Sequence, residues 1–237
     1  MRRIIQALAA GAVLCAGVSP AAAQEAPATT AAPAATPAGI PLDNPWRRAV
    51  YEQANTHFQH PSWGVRHSER NYLLGMTLAE AEGLPVDADV LFAAAFLHDW
   101  GGIAPFAVTG VDHAARSVEL AEPFLTDAGF PMEKFPAVRA AILGHMYDKE
   151  PEGAEAVVLH DADALDFLGA LGAGRLLAAT ADRPDYDQAL GRIERFAVDI
   201  PPRLKTGAAR DLARQRVAVM TEFLAQLRRE TPEGARP

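Results

Sequence analysis

Seven histidines are spread along the chain, and four positions join them to aspartate in an order that could do metal chemistry. His67 opens one helical stretch, His98-Asp99 ends the next apolar one, and Asp163 lies inside Leu-His-Asp-Ala-Asp-Ala-Leu-Asp. Imidazole nitrogen and carboxylate oxygen suit divalent Mn, Fe, Zn or Mg, and a mixed set leaves coordination positions open to water. An ion so held lowers the pKa of bound water and polarises a phosphoryl oxygen, two separate aids to hydrolysis. The His-Asp pair follows Ala94-Ala95-Phe96-Leu97, where two strongly polar side chains at the end of a buried helix cost free energy unless something satisfies them. A metal satisfies both. The rival reading is a histidine placed favourably at a helix C-terminus, with Asp99 capping the loop beyond.

The segments HSERN (67–71), AAFLHDWGG (94–102), DHAARSVELA (112–121), AILGHMYD (141–148) and VVLHDADALDFLGALGAGR (157–175) together resemble the HD-domain phosphohydrolase superfamily. They are similar in particular to small bacterial members with a DADRLDAIGAIG-like stretch, and the likeness runs over roughly residues 45 to 180. The resemblance implies metal ligands at His67, His98, Asp99 and Asp163, with Asp161 the second choice in the last motif. Ala164 stands where that subgroup carries Arg, so a phosphate contact by that Arg has no counterpart here. His113 and His145 sit where dinuclear members place two extra histidines, with Asp99 able to bridge two ions. Two readings stay open for them: ligands of a second ion, or substrate-binding and proton-transfer groups beside a single one.

Candidate phosphate contacts are Arg70, one helical turn after His67, Arg116, one turn after His113, and Lys149 and Arg175. For each, the competing role is a solvated charge or a structural ion pair. Asp166, three residues after Asp163, is placed to accept a hydrogen bond from a ligand histidine. His57 and His60 flank a helix end, where an imidazole is favourable without a catalytic role, and Pro61 stops that helix. His160 is a helical neighbour of Asp163 and stays an outside candidate. Trp100, beside Asp99, is expected to wall the pocket, whereas Gly169, Gly172 and Gly174 read as packing residues. No Walker-type or dinucleotide-binding spacing occurs.

Positioning these groups requires helices. Apolar residues at helical spacing, bounded by Gly, Pro and Asp or Asn caps, predict helices over 44–59, 67–82, 87–98, 112–128, 134–147, 154–167, 168–180, 184–198 and 207–228. Asn44 followed by Pro45 starts the first, and Asp112 is the expected N-cap before His113. No alternating run long enough for a sheet appears, so the expected fold is an all-α bundle over residues 43–230, followed by a frayed tail, 231–237.

Before this bundle, Met-Arg-Arg, the apolar run Ile4 to Val18 and Ser-Pro-Ala-Ala-Ala follow the charged, apolar and small-residue order of a secretory signal peptide, residues 1–23. The run is shorter than the ~20 residues that cross a bilayer, so no stable membrane anchor is expected. Residues 24–42, rich in Ala, Pro and Thr, read as a flexible linker. Cys15, the only cysteine, lies inside the leader, which would leave the mature chain without thiolate ligands or disulfides.

The net charge is -8, and removing residues 1–23 takes away Arg2 and Arg3 and no acid, leaving -10. That sign opposes binding of a nucleic-acid polymer and favours a small-molecule partner. The expected function is a periplasmic or secreted metal-dependent phosphohydrolase acting on a phosphomonoester, phosphodiester or nucleotide. It would use one or two divalent ions, with Asp99 and one of His113 or His145 handling protons. The alternatives are a di-iron oxygenase of the same superfamily and a non-catalytic metal-binding module.

Overall fold

The computed structural model describes residues 33–179 and 185–232. Its helices are α1 (Pro45–His57), α2 (Val65–Glu82), α3 (Ala88–Leu97), α4 (His113–Ala128), α5 (Phe135–Gly144), α6 (Ala154–Asp166), α7 (Gly169–Ala178), α8 (Tyr186–Asp199) and α9 (Gly207–Glu230). Three short 3-10 turns lie at Trp100–Gly102, Met132–Lys134 and Pro201–Arg203. The fold is all-α, with no β-strand among the described residues. None of the described helices is long and apolar enough to cross a membrane.

Local chemistry sets the helix starts. Asn44 accepts from the Arg47 amide at 3.0 Å, and Asp87 from the Asp89 amide at 2.9 Å. Asp112 accepts from the Ala115 amide at 2.9 Å, which makes it the cap its position suggested. Each such bond satisfies an amide that has no partner inside its own helix. α5 stops at Gly144, short of the expected 147, with His145 as its C-cap and that imidazole buried.

At the centre lies α3, in which every residue from Val90 to Leu97 is buried. Each of its buried Val, Leu and Phe side chains contributes about 1.5–3 kcal/mol. α2, α5 and α1 pack around α3, and α6 lies against α2 and α5. After α3, the 100–102 turn presses on the start of α4. A side chain at Gly101 would collide with the His113 carbonyl and come 2.6 Å from Arg116 Cβ. Ser117 locks this approach, accepting from the Gly101 amide at 2.8 Å and donating to the His98 carbonyl at 2.6 Å.

The expectation of a flexible linker over 24–42 is corrected for its described part. Residues 34–42 fold back as a tight turn, with Thr36 and Leu42 amides bonded to the Ile40 and Ala34 carbonyls at 2.9 and 2.8 Å. Ile40 and Leu42 are fully buried in the core. The sparse apolar content was enough because both residues enter one site, and Gly39, at φ 83°, permits the turn that places them there. The signal-peptide reading of 1–23 and the tail beyond residue 232 lie outside the described residues.

Candidate metal centre

Helix ends deliver the site. His67 comes from the first turn of α2, His98 caps the C-terminus of α3, Asp99 follows it, His113 begins α4, His145 caps α5, and Asp163 projects from α6. His67 Nε2 lies 3.1 Å from Asp163 Oδ1 and 3.3 Å from His98 Nε2. Asp99 turns Oδ2 toward His98 Nε2, at 3.3 Å, and His67 Nε2, at 3.6 Å. Its other oxygen faces His113 Nε2 and His145 Nε2, both at 3.7 Å, and these two nitrogens are 3.1 Å apart. The structure therefore gathers His67, His98, Asp99 and Asp163 into one cluster, with His113 and His145 on the far side of Asp99.

The hydrogen bonds of the outer ring nitrogens fix what the inner ones offer. His67 Nδ1 donates to Asp166 Oδ2 at 2.7 Å, His98 Nδ1 to the Ala95 carbonyl at 2.9 Å, and His145 Nδ1 to the Ile142 carbonyl at 2.6 Å. In the neutral rings each Nε2 is then a lone pair, and lone pairs this close repel unless a cation lies between them. His67, His98 and Asp163, all buried, can hold one ion, and His98, Asp99 and His145 form a second such group. The donor set thus fits a divalent ion.

Electrostatics agree with that demand for positive charge. Burial opposes the His98 cation, but Asp99 and Asp163 outweigh it and raise its pKa to about 9. At His145, burial and the neighbouring His98 dominate, lowering the pKa to about 4. Burial would raise the Asp99 carboxyl, yet His98, His67 and His145 hold it well below the usual carboxylate range. Asp163 is lowered against the same burial penalty by His67 and His98.

Above the cluster is a cavity of about 260 Å³ with Asp99, His113 and Asp163 at its polar end and Trp63, Tyr147, Phe167 and Phe196 among its walls. The sequence did not single out this aromatic wall, because its members come from four separate segments. Trp100 is not part of it; its ring packs edge-on against Phe106 and Phe124 inside the core. Asn71 was also missed, although it lies one helical turn after His67. It donates to Asp163 Oδ1 at 3.4 Å and faces His67 Nε2 at 3.2 Å.

Several expected site residues are placed elsewhere. Asp161 is directed at the start of α9, accepting from the Lys205 and Thr206 amides at 2.9 and 2.8 Å and the Thr206 hydroxyl at 2.8 Å. Its oxygens are engaged there, so it is no ligand candidate. His160 pairs with Asp161 at 2.9 Å, outside the cluster. Arg116 binds Glu119 at 2.9 Å, and Lys149 is exposed on a different cleft beside Glu150 and Glu152. Arg70 clasps Asp166 with two bonds of 2.8 Å, and buried Arg175 also binds that carboxylate at 2.8 Å. None of these four cations lines the pocket above the cluster, because carboxylates elsewhere hold Arg70, Arg116 and Arg175 and exposure takes Lys149 outward. Asp166, in contrast, stands where the sequence put it, against a ring nitrogen of His67. His57 packs edge-on against Phe106, and His60 stacks on Trp63, both outside the cluster.

Residues 64–168 match the family model of the HD domain. Over that span, which holds the imidazole and carboxylate cluster, the chain is similar to the HD domain. Solved structures with the same fold include a predicted HD-superfamily hydrolase from an uncultured Thermotogales bacterium, 26% identical, covering 76% of this chain and 88% of its own, at a TM-score of 0.55. Bacillus subtilis YpgQ in complex with ADP is 21% identical over 79% of this chain and 98% of its own, at a TM-score of 0.62. An HD-superfamily hydrolase from Bacillus thuringiensis is 22% identical over 78% and 97%, at a TM-score of 0.55. Among curated proteins no significant match is found.

Proposed function

We propose that the protein is a metal-dependent hydrolase of small phosphoesters. The observation that carries this reading is Asp99, whose two oxygens face two separate imidazole pairs beside a pocket that Asp99 itself lines. A divalent ion held by His67, His98, Asp99 and Asp163 supplies Lewis acidity and lowers the pKa of water. The chain's own residues do the rest. Asp166 fixes the His67 tautomer, and the Ala95 and Ile142 carbonyls fix those of His98 and His145. His113, the most exposed of the cluster's imidazoles, is placed to carry a proton to or from the substrate.

Trp63, Tyr147, Phe167 and Phe196 suit the apolar or aromatic part of an ester and help exclude water. A nucleotide is one such substrate, and the ADP complex of YpgQ, a protein of similar fold, supports testing it first. Among the described residues no guanidinium or ammonium lines this pocket, so of the chain's own groups the imidazoles are the ones placed to meet charge at phosphorus. The leader reading of residues 1–23 carries the further proposal that the substrate pool lies outside the cytoplasm.

The test combines elemental analysis of the purified protein with hydrolysis assays on phosphomonoesters, phosphodiesters and nucleotides. One or two divalent ions per chain and hydrolysis of at least one of these esters, reduced at least about a hundredfold in Asp99→Ala, are expected. Two irons with oxygen consumption and no hydrolysis would favour an oxygenase instead. An absence of bound metal after reloading with each ion would remove the basis of the reading.

A further inference from the structure

A second cleft, of about 400 Å³, is lined by His67 together with Arg70 and Arg175, the two arginines that hold Asp166. His67 turns Nε2 toward Asp163 and His98, and Nδ1 toward Asp166. Around this second cleft stand His60, Ser62, Arg66, Arg70 and Arg175, and among the described residues its lining contains no acidic one. The nearby carboxylate is Asp166, already shared among His67, Arg70 and Arg175. Arg66 is exposed and makes no ion pair among the described residues. The positive charge on these walls therefore exceeds what the protein neutralises.

Two buried polar atoms belong to residues of the same wall. Arg175 is 4% exposed, and its Nε and Nη1 donate to the Ser62 and Asp166 carbonyls at 2.5 and 2.9 Å, but Nη2 finds no acceptor. Ser62, 1% exposed, has an unpartnered hydroxyl. A buried donor without an acceptor is destabilising, the more so on a charged group. Both deficits, and the charge excess, are met by one kind of ligand: a compact anion with several acceptor oxygens.

We infer that this cleft is a second anion site, distinct from the metal centre, that binds a phosphate group through Arg66, Arg175 and Ser62, with Arg70 at its edge. The phosphate could come from two sources, a free inorganic ion or the distal phosphate of a larger ligand. The site does not depend on the protein being a hydrolase. Because Arg70 and Arg175 also hold Asp166, an anion here sits one side chain away from His67.

Calorimetric titration of the full chain separates these sources. Asp99→Ala, which disrupts the metal cluster, serves as the background, and inorganic phosphate and a nucleoside diphosphate are the probes. Arg66→Glu is the reporter variant, since its exposed side chain has no structural partner to lose, and circular dichroism confirms its fold. Inorganic phosphate binding in Asp99→Ala, weakened at least about tenfold by adding Arg66→Glu, supports a site for the free anion. Binding of the diphosphate alone, with the same sensitivity, supports a site for the distal phosphate. The inference is overturned if neither probe binds Asp99→Ala by about 10 mM, or if binding is indifferent to Arg66→Glu.

Discussion

Replacing Asp166 tests the link between the buried scaffold and the metal cluster. The carboxylate is 2% exposed and accepts from His67 at 2.7 Å, from Arg70 twice at 2.8 Å and from Arg175 at 2.8 Å. Asp166→Ala strands the Arg175 guanidinium, itself buried, and breaking such a pair costs about 3–5 kcal/mol. Arg70, a third exposed, regains water and adds only about 0–1 kcal/mol. Losing the acceptor that orients His67 should also weaken metal binding by about 10- to 100-fold. Burial would raise the Asp166 carboxyl, but Arg70 and His67 overcome it and hold the pKa well below the usual range. A depressed folded pKa gives stability that is present above the unfolded value of about 3.9 and lost as pH falls through the folded one. Urea denaturation with chelator present, at pH 7, at pH 4 and at about pH 2.5, should therefore show a large deficit for the variant that is nearly unchanged at pH 4 and narrows only below it. Asp166→Asn keeps one acceptor and should fall between the two. Wild-type stability at pH 7, within about 1 kcal/mol, together with unchanged metal affinity would refute the reasoning.

Two further outcomes are expected. In the metal-free site His98 is protonated up to about pH 9, so binding an ion must displace that proton. Affinity should rise about tenfold per pH unit below 9, as measured by competition with a chromogenic chelator, and a flat profile between pH 6 and 8 would contradict it. Leu42→Ala should destabilise the fold by about 2–5 kcal/mol, because Leu42 is fully buried. A loss near zero in thermal or urea unfolding would instead restore the flexible-linker reading of that segment.

The sequence revealed what is local. Caps at Asn44, Asp87 and Asp112 placed helix starts within two residues, and α6 shows why spacing helps within one helix. At about 100° per residue, Asp163 and Asp166 fall on one face while Asp161 points nearly opposite, as the structure finds. Partnerships across the chain were not legible. Arg70 looked like a substrate contact because Asp166, the acceptor it shares with Arg175, is 96 residues away, and nothing in its local sequence announces it. The aromatic wall was hidden for the same reason, being assembled from loops and helices distant in the chain. Ile40 and Leu42 were passed over because composition averages a segment, whereas burial depends on where two side chains go.

α3 is buried on all sides, and the His98-Asp99 pair at its end is clamped by Ser117 against α4. α8, which supplies Phe196 to the pocket, buries only Ala189, Leu190 and Ile193. Resistance to local opening follows such buried contact, so the two sides of the cavity differ in how readily they yield. The ligand-bearing floor is expected to exchange its amide hydrogens only with global unfolding, and α8 at lower free energy. A yielding wall at Phe196 would then leave the spacing of the imidazoles beneath undisturbed.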